Sequence, residues 1–89
     1  MKAVITVIGK DTVGILANVS AVCAKYNANI TDVTQSILQD LFAMIMLADT
    51  SGISGDFGKL SEELSALGKK LNLQIHVMHE DIFNSMHRI

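Results

Sequence analysis

The residues best placed to meet a ligand lie in Val7-Ile8-Gly9-Lys10-Asp11-Thr12-Val13-Gly14-Ile15-Leu16-Ala17-Asn18-Val19. Here an apolar β-like run stops at a glycine, turns through a short polar loop and restarts with helical spacing. Glycine lets a backbone adopt left-handed conformations and approach a bound molecule closely. The helix that follows opens with free N–H groups and the positive end of its dipole, which favour an anion or a carboxylate. The same residues also serve ordinary turn chemistry. Asp11 and Thr12 are common helix caps, and Gly9 and Gly14 suffice to make a turn. Gly-x-x-x-x-Gly without a following Lys-Ser or Lys-Thr supplies neither the lysine nor the magnesium-binding hydroxyl of a phosphate loop.

The remaining chemically capable residues are dispersed. His76 and His79 stand three apart in a strand-like segment, so they fall on opposite faces and do not share one metal ion. His79, Glu80, Asp81 and His87 form only a loose group suited to a solvated strand end. Asp11 and Asp32 are two carboxylates with no base, nucleophile or oxyanion arrangement to complete a mechanism. Ser20, Ser36 and Ser61 have no histidine near them in the pattern. These residues complete no catalytic mechanism, so no enzyme activity, metal or cofactor is expected.

The elements that would position the loop follow from periodicity. Residues 2–9 are β-branched and nearly all apolar, as in a central strand. Ile15, Val19, Val22, Cys23 and Tyr26 recur at helical spacing, with Asn18 and Lys25 opposite them. Ala17, Ala21 and Ala24 make a second, small-residue strip open to a close neighbour, and Asn27-Ala28-Asn29 ends the helix. Two strands, 30–38 and 41–49, flank Gln39-Asp40. Simple alternation puts Ile30, Asp32, Thr34, Ser36 and Leu38 on one face of the first. Gln-Asp is not a favoured hairpin turn, which predicts a longer or bulged connection. The second strand is apolar on both sides, so both need cover.

Asp56 is placed to cap a helix whose stripe is Phe57, Leu60, Leu64, Leu67 and Leu71. Leu73, Ile75, Val77 and His79 then alternate as a last strand. Residues 80–89 are too short for an independent helix and are expected to dock on the domain or on a second subunit.

The order β-α-β-β-α-β predicts an α+β, ferredoxin-like sandwich over residues 1–79. Its four-stranded antiparallel sheet carries both helices on one face, and the short C-terminal helical tail follows. The open sheet face predicts a homodimer, with the tail as the alternative cover.

Composition excludes several function classes. Hydrophobic residues make up 49% and charged residues 18% of 89, enough for one folded core. A mean hydropathy of +0.38 is high for a small domain and points to apolar surface facing a partner. A net charge of −2 argues against nucleic-acid binding. The single Cys23 forms neither an intramolecular disulfide nor a paired-cysteine metal site, and it reads as a structural thiol. No apolar run approaches a membrane span, and Met1-Lys2-Ala3 leads straight into strand pattern, so no membrane association and a cytoplasmic location are expected. Phe42 alone in the central strands does not make an RNA-recognition surface, and the loop's only basic residue, Lys10, does not make an acylphosphatase.

Residues 4–34 resemble an ACT domain, the small-molecule-sensing module of amino-acid metabolism. The resemblance is carried by Lys10-Asp11-Thr12-Val13-Gly14-Ile15-Leu16 with Ala17-Asn18-Val19, and by Asn29-Ile30 opening the second strand. The order of elements extends it to about residue 79. The chain looks most like the small stand-alone ACT proteins of bacteria and the ACT modules of formyltetrahydrofolate deformylase and glycine-cleavage regulators. The resemblance implies a regulatory homodimer that binds an amino acid between the first loop and a neighbour's strand or helix. By position, Gly14 would let backbone amides meet the ligand and Asp11 would receive its amino group. Thr12, Val13, Ile15 and Leu16 complete the loop, with Asn29 and Ile30 nearby. Val13 stands where the family often has proline. No enzyme domain is attached, so output would pass through a separate enzyme or regulator. The alternative is a structural or protein-interaction dimer with no small-molecule ligand.

Overall fold

In a computed structural model, which describes residues 2–10 and 14–86, the chain alternates strands and helices in the expected order. It runs β1 (Lys2–Lys10), α1 (Ile15–Lys25), β2 (Asn29–Leu38), β3 (Leu41–Asp49), α2 (Phe57–Leu71), β4 (Gln74–His79) and α3 (Glu80–Met86). The strands form one antiparallel sheet in the order β2-β3-β1-β4. The βαββαβ fold is therefore ferredoxin-like, as its element order dictates.

β1 is central because its apolar run has partners on both sides. Ile5 lies opposite Met46 and Val77, and Val7 opposite Met44 and Ile75. Against this face pack Val19 and Cys23 of α1 and Leu60 and Leu64 of α2. All of these but Val77 and Ile75 are at most 1% exposed. Burying each such large aliphatic side chain contributes about 1.5–3 kcal/mol, so this layer dominates the stability.

Local chemistry sets the helix ends. Asp56 Oδ1 accepts the Lys59 backbone N–H at 2.8 Å, as its cap position requires. α2 closes on Asn72 at φ 59, and the chain leaving α1 turns at Asn27, also at φ 59. Asparagine tolerates this left-handed geometry better than most residues.

Two expectations about β2 are corrected. The connection to β3 is only Gln39-Asp40, since Leu38 pairs with Leu41, and Gln39 makes the turn at φ 58. The irregularity instead sits at the other end of the strand, as a bulge between Ile30 and Asp32. Simple alternation grouped Ile30 with Asp32 and Thr34. The extra residue, Thr31, reverses the phase. Ile30 and Val33 therefore both pack against the core, while Asp32 and Thr34 stand on the open face.

α3 folds back against β1 and β4 on that open face. Val4, which alternates away from the main core, is only 1% exposed beneath it. The cover is partial. Ile8, Leu41 and Ile45 remain 42%, 44% and 43% exposed on the same face. Among the described residues no helix is long and apolar enough to cross a membrane.

Candidate ligand-binding site

Gly14 closes the loop after β1 in the left-handed region, at φ 86 and ψ 10. Among the described residues a Cβ there would meet only Asn18 Nδ2, at 3.5 Å, and the left-handed backbone itself favours glycine. Among the described residues no side chain caps α1 at Gly14, and its first turn carries no acidic residue. Its leading N–H groups and dipole thus meet no neutralising carboxylate from the helix itself.

Asn18 belongs to this arrangement, although its solvent-facing position in the helical pattern gave no hint of it. Its backbone N–H and its Nδ2 both donate to the Gly14 carbonyl, at 2.9 and 2.8 Å. The double bond fixes the peptide that leads into the helix. The signal was the spacing of four from the glycine, which places a side-chain amide under the helix's first carbonyl. Of the other expected residues, Ile15 is buried in the core and Leu16 faces solvent. Asp11, Thr12 and Val13 lie outside the described residues.

Asn29 and Ile30 do not lie near this loop within one chain, which corrects that expectation. Asn29 pairs with Asp49, and Asp49 with Lys2. They therefore mark the sheet end where β1 begins, whereas Gly14 follows the end where β1 finishes. Nine residues of strand span roughly 27 Å at about 3.3 Å each. The cause is topological: β1 and β2 are both antiparallel to β3, so they run in the same direction and start at the same end. α1 carries the chain back between them. Asn29 is exposed, and Ile30 is half-buried against the core.

Other polar groups are tied into the scaffold. The Glu63 carboxylate accepts from Lys25 Nζ at 3.0 and 3.2 Å and from the Tyr26 hydroxyl at 3.0 Å. These hydrogen bonds hold Glu63 below the usual carboxylate range and raise Lys25 above the ordinary lysine value. The triad joins the end of α1 to the middle of α2. Cys23 is buried, and burial pushes its thiol up, so it is a packing group and not a nucleophile. Among the described residues no three histidine, cysteine, aspartate or glutamate side chains come together to hold a metal ion.

Comparison with known proteins agrees with the fold. The sequence pattern of the ACT domain matches residues 2–78. The UPF0237 protein of Methanopyrus kandleri is 50% identical over 88 residues, covering 99% of this chain and 98% of that one. The solved ACT domain protein from Streptococcus pneumoniae is 41% identical and superposes with a TM-score of 0.80 over 93% of each chain. Similar proteins are thus not confined to bacteria. The regulatory subunit of aspartate kinase from Thermus thermophilus shares the fold, with a TM-score of 0.68 at 18% identity, over 89% of this chain and 51% of that one. This chain belongs to the ACT domain family, whose members are regulatory modules.

Proposed function

We propose that the protein is a cytoplasmic homodimeric sensor of an amino acid, bound where the Gly14 loop of one chain meets Asn29 and Ile30 of the other. The observation that carries this reading is Gly14: a left-handed glycine at a helix start that, among the described residues, has no capping side chain. Backbone N–H groups in that setting suit a ligand carboxylate. Asp11, Thr12 and Val13 complete the loop in this reading, with Asp11 receiving the amino group.

The need for two chains follows from the register. Among the described residues β2 is an edge strand, paired only with β3. Its ten residues contain neither proline nor lysine to discourage further pairing. A second copy added antiparallel along β2 sets the Asn29 end of one chain beside the Gly14 end of the other, twice, about a two-fold axis. The exposed strip of Ala17, Ala21 and Ala24 on α1 admits a close helix neighbour at the same edge. In this reading occupancy is read by a separate enzyme or regulator.

A thermal-shift screen against the twenty amino acids tests the ligand. A ligand at about 100 times its dissociation constant adds about 2.7 kcal/mol, roughly 10–20 °C in so small a domain. The reading expects one or two amino acids to do so in the native protein and none in Gly14→Asp. Twenty flat curves would favour the second reading, a purely structural or protein-docking dimer. The half-exposed Ile8, Leu41 and Ile45 on the open sheet face support that alternative.

A further inference from the structure

α3 does not close flush on the sheet. It roofs a cleft of about 190 Å³, with Val4, Ile45 and Leu47 as its floor. Glu80, Phe83 and Asn84, at a spacing of three and four along one side of α3, line the roof. Asp32 and Thr34 of the edge strand β2 line the side. The bulge at Thr31 turns these two toward the cleft, and Asp32 Oδ1 is held by its neighbour's backbone, accepting the Val33 N–H at 2.9 Å.

We propose that this cleft binds a small organic ammonium ion, a primary or secondary amine with a short apolar body. The site is separate from the Gly14 loop and does not depend on it. Asp32 and Glu80 bring two carboxylates from different elements to one apolar cleft, whose described lining contains no lysine, arginine or histidine. Two like charges bordering one half-open cleft, with Asp32 exposed and Glu80 half-buried, favour a cation between them. The Thr34 hydroxyl and the Asn84 side-chain carbonyl supply neutral acceptors for further N–H groups. Val4, Ile45, Leu47 and Phe83 receive the carbon skeleton, the usual division between apolar walls and a few orienting polar groups.

The same lining selects against two other ligands. A free amino acid would set its own carboxylate against Asp32 and Glu80. A calcium ion takes six to eight oxygen ligands, and the apolar floor of Val4, Ile45 and Leu47 supplies none.

An NMR titration of the full-length protein tests the proposal, with isobutylamine hydrochloride, isobutanol, leucine and calcium chloride as probes. Isobutylammonium is expected to move the Asp32, Thr34 and Asn84 amide signals saturably, with a dissociation constant of order millimolar for so small a ligand. The Gly14 signal stays fixed, and Gly14→Asp leaves this binding unchanged. Asp32→Asn and Glu80→Gln each weaken it at least tenfold, the loss of about one charge-assisted hydrogen bond.

Because Glu80 opens α3, Thr34→Lys provides a test that leaves the helix sequence intact. Its tethered ammonium should raise the melting temperature and abolish amine binding. Four outcomes each overturn the proposal: no saturable shift, equal binding of isobutanol, calcium moving these signals where the amine does not, or a Thr34→Lys protein of lowered melting temperature.

Discussion

At the scale of single residues, two glycines have separable reasons. Gly14→Ala forces a side chain into the left-handed region and should cost about 1 kcal/mol. Thermal denaturation should show this as a fall of roughly 4–8 °C. Gly68 is different. A Cβ there would stand 2.9 Å from the Leu73 carbonyl and 3.2 Å from Ile75 Cγ1, where α2 presses on the start of β4. Backbone cannot yield as a side chain can, so Gly68→Ala should cost more, about 1–3 kcal/mol by overpacking. An unchanged melting temperature in either variant contradicts its assignment. Gly14 was legible from its place between a strand and a helix. Gly68 was not, because it interrupts no pattern: it sits between Leu64 and Leu71 on a stripe already complete without it.

At the scale of elements, the apolar stripes of both helices and the central strand were legible because their periods are unambiguous. Asp56 and Asn27 were legible as well, as residues whose side chains suit a cap and a left-handed stop. The face of β2 was not. A bulge adds one residue without altering composition, so alternation counted from Ile30 places Asp32 and Thr34 wrongly, and only the pairing with β3 reveals the slip.

Capping gives one test here: Asp56→Ala removes the acceptor of the Lys59 N–H and should cost about 1 kcal/mol in chemical denaturation. The α1–α2 tie gives another, through pH. Glu63 is held below its ordinary range by Lys25 and Tyr26, so its contribution is present above the unfolded carboxylate pKa and is lost as pH falls through the folded one. Glu63→Gln should therefore lower the melting temperature slightly at neutral pH, and more at low salt than at high, since the pair is exposed. The difference from the native protein should vanish in acid. A difference that persists there would assign the effect to packing.

At the scale of the whole molecule, the separation of Gly14 from Asn29 by the length of β1 decides how a ligand site is to be built. The sequence brought these residues into one motif, yet the register sets them at opposite ends of the sheet. What sequence reasoning lacks is direction: nothing in the local pattern of either segment says at which end of a shared sheet it finishes. The proposed dimer resolves this by giving each site a loop from one chain and a strand end from the other.

Once the screen has named an amino acid, the most direct measurement is complementation between two inactive variants, Gly14→Asp and Asn29→Ala, by calorimetric titration. Each alone should fail to bind. After unfolding and refolding together, random mixing makes half of the dimers mixed, each with one intact site and one doubly altered site. The account predicts that about one quarter of the native binding capacity returns, at native affinity. If the mixture binds no more than its separate components, the loop and the strand end do not form one site across two chains.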